Sequence, residues 1–328
     1  MSTLRQRAQE YLALRRALGY KLADNERLLG QFLDHLEHAG LDMITTEAAV
    51  AWATLPARAK PLYWRRRLSV VRGFARHLNA LDPTCPVPPP GLLACFPNRV
   101  APHLFSEQEI LALMSAADRV FRQPLRIATY RLLIGLLAVT GMRTGEAVRL
   151  DREHLDLDAG ILAIVDSKYG KSRQVLLHSS TVTALRDYAR LRDQVAGVVG
   201  APAFLVSTKG RLQVNTVDYT FATLIKAANI ATPPAGRAPR PTDLRHTFAV
   251  TTLLRWYRAG LDVQARLPAL STWLGHLSPA STYWYLQAAP ELLALAAERL
   301  DHPVPSTPAG ALSWPRSRPS WKRSSPTG

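Results

Sequence analysis

Ile161-Leu-Ala-Ile-Val165 and Arg173-Gln-Val-Leu-Leu177, joined through Asp166-Ser-Lys168-Tyr-Gly170-Lys171, are the stretch on which the fold turns. Each apolar run is too short for a helix, and polar residues with a glycine lie between them. The pattern is that of two strands and the turn of an antiparallel hairpin. A further short strand is expected at residues 204–207. Almost everything else repeats its apolar residues at helical spacing, so the fold class is mainly α, with a small antiparallel β-sheet in one part of the chain.

Upstream of the hairpin, residues 126–140 form an apolar helix ending at Gly141. The chain then turns through Gly141-Met-Arg143-Thr-Gly145-Glu146 into another helix that runs through Leu150. Ser106-Glu-Gln-Glu109 is a capping box, in which the serine hydroxyl and the glutamate carboxylate satisfy each other's free N–H groups, so a helix starts there. Downstream, helices are expected at residues 180–195 and 214–228, again from Asp243, and at about 267–274. An exposed basic loop covers 232–241. In Leu274-Gly-His276-Leu-Ser278-Pro279 the glycine ends a helix and Ser278-Pro279 opens a turn, which leaves His276 on a corner nine residues ahead of Tyr285.

The first 82 residues read as a separate all-helical domain. Amphipathic helices fall at 4–20, at 24–38, from Thr45 or Thr46 to about Leu55, and at 62–78. The fourth has Leu68, Val71, Ala75 and Leu78 on its core side, and Trp64, Arg65, Arg66, Arg67, Arg72 and Arg76 on the other. That basic face has almost no acidic residues in its own helix to pair with, so Arg65, Arg66, Arg67 and Arg72 are assigned to phosphate contacts. Cys85-Pro-Val-Pro-Pro-Pro-Gly breaks the helical pattern, giving a Pro-rich linker at 83–103, a second domain at 104–300 and a disordered basic tail at 301–328.

Lys+Arg 41 against Asp+Glu 25 gives a formal charge of +16 and a pI near 10.4 over 328 residues, which calls for a polyanionic partner. Nucleic acid comes first, and a membrane surface is the weaker alternative. The longest apolar run, near 132–139, is far too short to cross a bilayer, and the N-terminus has no apolar leader, so no membrane partner is expected and the protein is placed in the cytoplasm, associated with the nucleoid. Cys85 and Cys95 flank the proline run with no second pair to complete a zinc site.

Four separated islands carry the chemistry: Arg143 between Gly141 and Gly145, Lys168 in the hairpin turn, Arg245 in Thr242-Asp-Leu-Arg-His246, and His276 with Tyr285. Two arginines match a phosphate with planar forks that never deprotonate, and together they can neutralise a pentacoordinate phosphorane as a metal ion would. A desolvated lysine can protonate a departing 5′ oxygen. The phenol of Tyr285 is the nucleophile. Lys171 competes with Lys168 for its role and Tyr283 with Tyr285, while His246 is read as structural.

At these residues the chain resembles the tyrosine recombinase (phage integrase) family. Thr140-Gly-Met-Arg143-Thr-Gly-Glu146 resembles its first arginine box and Ser167-Lys168-Tyr-Gly-Lys its β-hairpin lysine. Asp243-Leu-Arg245-His246-Thr-Phe-Ala resembles its second arginine box, and Leu274-Gly-His276 with Tyr285 its last. The likeness runs over about 104–300, with 1–80 resembling the family's core-binding domain more loosely. Thr282-Tyr-Trp-Tyr-Leu-Gln-Ala-Ala-Pro-Glu-Leu-Leu is similar to mobile-element integrases that occur as adjacent recombinase genes. The resemblance implies site-specific cleavage and rejoining of DNA through a 3′-phosphotyrosyl link, with no metal, ATP or other cofactor. It also implies a homo-tetramer on two DNA duplexes, alone or with sister recombinases, and use in moving a mobile element.

One position departs from the family pattern. The second box ordinarily reads His-x-x-Arg-His, and Thr242 stands in the place of the first histidine. That threonine motivates an alternative, a catalytically weak DNA-binding partner of another recombinase. A type IB topoisomerase-like enzyme uses related chemistry and is the other alternative.

Overall fold

A computed structural model of the chain describes residues 3–93, 101–167, 170–195, 202–232 and 237–276, together with residues 292 and 294. The amino-terminal part is four helices: α1 (Thr3–Ala17), α2 (Ala23–His38), α3 (Thr46–Thr54) and α4 (Pro61–Leu81). Thr45 is the residue that caps α3, accepting a hydrogen bond from the N–H of Ala48 at 3.1 Å, and Pro61 opens α4 at a position where its missing N–H costs nothing. The amphipathic stripe expected in α2 is buried as a unit: Leu28, Leu29, Phe32, Leu33 and Leu36 pack with Trp52, Val71 and Phe74 in one core. α1 is shorter than its pattern predicts, because the chain turns at Gly19 with φ 83°.

The remaining elements are α5 (Glu107–Val120), α6 (Pro124–Thr140), α7 (Thr144–Ala147), a 3-10 turn at Arg152–His154, β1 (Leu155–Asp156), β2 (Ile161–Ile164), β3 (Arg173–Leu176), α8 (Ser179–Gln194), β4 (Val206–Ser207), β5 (Gly210–Arg211), α9 (Val214–Ala227), α10 (Pro241–Arg258) and α11 (Val263–Leu274). The capping box at Ser106 and Glu109 is present in both directions, at 3.1 and 2.7 Å. β2 and β3 pair antiparallel, with Leu162 opposite Val175 and Ile164 opposite Arg173, and β1 adds a third strand on the far side of β2. β4 and β5 form a separate two-stranded ribbon. The chain is thus mainly helical with small antiparallel sheets, as its hydrophobic periodicity predicts.

Three boundaries differ from expectation for identifiable reasons. α10 starts at Pro241, two residues before Asp243, because proline suits the first helical position and the Asp243 carboxylate accepts the Arg240 N–H at 2.9 Å. α11 starts at Val263 and carries Pro268 inside it, capped by Asp262, which accepts from Ala265 N–H at 3.0 Å. α7 is a single turn, since the chain leaves it at Leu150 to bond the second ribbon's approach, with Phe204 N–H donating to Leu150 O at 2.7 Å. β1 and β5, two residues each, carry too little alternation to be legible in a sequence.

The proline run is not a free spacer along its whole length. Cys85, Val87 and Leu93 pack on the four-helix core, and Arg72 reaches over to donate to Pro88 O at 2.7 Å and Pro89 O at 2.8 Å. A second core lies between α5, α6, α8, α9 and the sheet, around Leu113, Leu133, Leu137, Leu162, Val175, Leu185, Phe204 and Leu224. A third cluster joins α10 to α11 through Leu253, Leu267, Leu270 and Leu274. The end of α11 and the hairpin β2–β3 meet where this third cluster abuts the second.

Candidate active site

Gly141 ends α6 in the left-handed conformation, φ 63°, which is open to glycine at no steric cost, and a Cβ there would lie 2.5 Å from the Phe248 ring. The reversal delivers Arg143 to the start of α7. There Glu146 turns back on it: its carboxylate accepts the Arg143 N–H at 2.9 Å and the Arg143 guanidinium at 2.6 Å. Arg173, from the first position of β3, reaches the same carboxylate at 2.8 and 3.3 Å, and Ser167 Oγ donates to it at 2.5 Å. Glu146 is only 3% exposed. Burial alone would raise its pKa, but hydrogen bonds from Arg173, Ser167 and the Arg143 backbone outweigh that and hold it at about 2.

Arg245, on the second turn of α10, is 4% exposed. Its guanidinium donates to Gly141 O at 2.8 Å and to Leu274 O at 2.6 Å. Arg143 donates to Gly275 O at 3.1 Å, and Arg173 Nε to Trp273 O at 2.7 Å. Three successive carbonyls at the end of α11 therefore each accept from a different arginine. Those carbonyls have no partner within the helix and carry its negative dipole end, so guanidinium groups are the natural caps. The arrangement explains why segments far apart in sequence meet: the end of α11 is the point to which Arg143, Arg173 and Arg245 are tied.

His276 follows directly, half-buried, with its N–H on Ser271 O at 2.9 Å. Burial first, and then the charges of Arg245, Arg143 and Arg173, push its pKa down to about 4, so the imidazole is neutral at pH 7. His246 is lowered to about 4 as well, again chiefly by burial. Thr242 lies half-buried in the first turn of α10, beside the fully buried Asp243, which pairs with Arg237 at 2.7 Å. Arg143, Arg245 and His276 are thus brought together. Lys168 and Tyr285, and their competitor Tyr283, lie outside the described residues, although Ser167 beside Lys168 is held by Glu146 and by its own N–H on Lys171 O at 2.9 Å.

Beside Arg143, a cavity of about 240 Å³ is lined also by Lys21, Glu146, Arg149, Asp166 and Ser167; Arg245 and His276 do not line it. Lys21, from the turn before α2, pairs with Asp166 of the hairpin. A larger apolar cleft of about 680 Å³, between α6 and α8, contains none of the site's groups. Asp151, Glu153 and His154 bring three potential metal donors together, but Arg211 already donates to Asp151 at 2.5 Å and the Asp151 N–H occupies His154 Nδ1 at 3.0 Å.

The basic face assigned to α4 needs correction. Arg67 is 6% exposed and its guanidinium lies 3.7 Å over the Trp52 ring while donating to Trp52 O at 2.8 Å, so it is a core residue and cannot reach a phosphate. Arg72 is engaged with the proline run. Arg66 is exposed but bound to Asp24 at 2.9 Å and Asn25 at 3.0 Å, both on α2. The acids absent from α4 come from the neighbouring helix. Arg65 and Arg76 are exposed on the same helix.

Two residues of the site escaped the sequence reading. Glu146 was legible only as a local partner of Arg143, and Arg173 only as a strand residue. One signal was available: in a period-two strand Arg173 shares a face with Val175, an inner position, and a charge there requires a buried counter-ion.

Two arginines and a neutral histidine are thus gathered at one helix end. Residues 103–291 match the Phage integrase family. A "Putative integrase/recombinase y4rB" of Sinorhizobium fredii is 44% identical over 92% of this chain and 98% of its own length. A second protein of that organism, y4rE, is 36% identical over 90% and 95%. Among solved structures, the Tn1549 transposon integrase in complex with transposon right end DNA aligns with a TM-score of 0.61 at 16% identity, covering 92% of this chain and 100% of that one. A lambda integrase dimer bound to a COC′ core site gives 0.58 at 20%, covering 84% and 96%. At those identities the structures speak for the shared fold. The chain belongs to the phage integrase family of tyrosine recombinases.

Proposed function

We propose that this chain, a site-specific DNA recombinase by its family, cleaves duplex DNA by attack of the Tyr285 hydroxyl on a phosphate held by Arg143 and Arg245. The products are a 3′-phosphotyrosyl link and a free 5′ hydroxyl. Attack by the 5′ hydroxyl of another strand then reverses the chemistry with a new partner, so the bond energy stays in the protein–DNA link. Lys168 protonates the leaving 5′ oxygen, and neutral His276 donates a hydrogen bond to the phosphate. The observation that carries the reading is the convergence of Arg143 and Arg245 on the end of α11 beside His276, which stands nine residues ahead of Tyr285 in the sequence. Covalent trapping on a nicked duplex tests it.

The working assembly is a homo-tetramer on two DNA duplexes, alone or with sister recombinases, acting in the cytoplasm on a mobile element. Among the solved structures of like fold is a lambda integrase tetramer bound to a Holliday junction. No helix among the described residues is long and apolar enough to cross a membrane.

On α4 Arg65, exposed to solvent, is kept as a phosphate contact. Arg65→Ala should reduce the slope of log affinity against log salt by about 0.9, whereas Arg67→Ala should leave the slope unchanged and lower the melting temperature instead. Titrations of duplex binding at several salt concentrations, with thermal melts of both variants, check this. An unaltered slope in Arg65→Ala removes the contact.

Thr242 decides between a competent enzyme and a weak partner. A threonine hydroxyl still donates one hydrogen bond but carries no charge near neutral pH. The substitution of histidine by threonine should cost on the order of 1–2 kcal/mol of transition-state stabilisation, roughly five- to thirtyfold in rate. Wild type is therefore expected to form adduct, and Thr242→His to form it faster. Adduct only in Thr242→His would make the native chain a binding partner.

A further inference from the structure

Glu146 and its two guanidinium partners present an imbalance that the proposed chemistry does not yet use. One carboxylate, 1% exposed at its side chain, faces Arg143 at 2.6 Å and Arg173 at 2.8 Å. A buried carboxylate stripped of its last counter-ion is strongly unfavourable. Were Arg143 its sole partner, turning that arginine toward a phosphate would leave the carboxylate bare, and the arginine would stay locked in its ion pair.

We propose that Arg173 is a positioning residue that holds Glu146 permanently, so that Arg143 brings its positive charge to the scissile phosphate. The two arginines differ in the ways this requires. The Arg173 side chain is 9% exposed against 30% for Arg143, and Arg143 lines the 240 Å³ cavity. Arg173 meets both carboxylate oxygens, at 2.8 and 3.3 Å, and its Nε is fixed on Trp273 O at 2.7 Å. It is therefore tied on two sides and faces inward, while Arg143 stands at the opening. Gly275 leaves the space that Arg173 occupies: a Cβ there would lie 2.7 Å from Arg173 Nη1. Ser167, donating to the same carboxylate at 2.5 Å, ties the hairpin to the arrangement.

This inference rests on the recombinase reading, and charge removal separates it from a merely structural role. Single-turnover adduct formation on a nicked duplex, at saturating protein, is measured for wild type, Arg173→Gln, Glu146→Gln and the double variant, with duplex affinity and thermal melting alongside. Arg173→Gln should slow adduct formation roughly 30-fold, the scale of one charge-assisted contact, with little change in affinity. Adding Glu146→Gln should restore at least about a tenfold part of that loss, because the carboxylate that captures Arg143 is gone. Arg173→Lys, which keeps the charge without the fork, should remain faster than Arg173→Gln. A double variant as slow as Arg173→Gln overturns the inference while leaving the recombinase reading intact, as does Arg173→Lys falling to the level of Arg173→Gln. Should Arg173→Gln fail to melt cooperatively, the comparison passes to Arg173→Met, which also removes the charge, with and without Glu146→Gln, where absence of recovery overturns it equally. Absence of any adduct in wild type overturns the recombinase reading itself.

Discussion

Tyr285→Phe is expected to bind duplex DNA as the wild type does and to form no covalent adduct. The substitution removes one oxygen and leaves the aromatic ring, so packing and the +16 formal charge are retained. What disappears is the nucleophile. No neighbouring hydroxyl substitutes for it without a shift of position, because a displacement at phosphorus needs the attacking and leaving oxygens in line. Tyr283 is two residues away in sequence, a spacing that in a helix would put it on a different face from Tyr285. Tyr283→Phe should therefore form adduct at close to the wild-type rate. The pair is measured by denaturing gel on a nicked duplex, with binding followed separately. Adduct in Tyr285→Phe, or its loss in a folded Tyr283→Phe, would move the nucleophile elsewhere.

Arg245→Ala is expected to be the most damaging change among the phosphate-binding groups. Arg245 is 4% exposed, and its fork spans Gly141 O at 2.8 Å and Leu274 O at 2.6 Å, so it ties the start of the Arg143 turn to the last residue of α11. Alanine removes one of the two charges that would face the phosphorane and leaves two carbonyls without that donor. Loss of a single preorganised donor to a developing charge costs about 10²–10³ in rate in well-studied cases, and a charged, doubly anchored one should reach at least the upper figure. A melting-temperature decrease should accompany it, since unmet buried carbonyls cost about 1–3 kcal/mol each. Arg245→Lys separates the two effects. It restores charge without the planar fork, so it should melt closer to wild type and yet cleave at least about tenfold more slowly. Arg245→Lys cleaving at the wild-type rate would show that the fork geometry is irrelevant.

What was legible in the sequence is what is written locally. Ser106 with Glu109, Gly141, Gly275 and the short apolar runs on both sides of Gly170 each state their structure within a few residues, and each is found in the fold. The convergence of Arg143, Arg245 and His276 was legible because motifs separated by a hundred residues each pointed to the same phosphate chemistry. What was hidden depends on partners from other elements. Arg67 looks like surface until Trp52 of α3 covers it, and Arg66 looks unpaired until Asp24 of α2 arrives. Arg173 and Glu146 are 27 residues apart, and only the hairpin's register brings them together. Lys168 and Tyr285 were singled out from the sequence and lie outside the described residues.

The most direct test of the central claim is a wild-type reaction on a duplex carrying a nick next to the cleavage site, so that the short 5′-hydroxyl fragment diffuses away and religation is blocked. The trapped complex is digested with protease and the DNA-linked peptide sequenced by mass spectrometry. The account predicts a peptide joined to a DNA 3′ phosphate through Tyr285, with a free 5′ hydroxyl on the released fragment. Attachment to any other residue, linkage through a 5′ phosphate, or a duplex bound but never joined would contradict it.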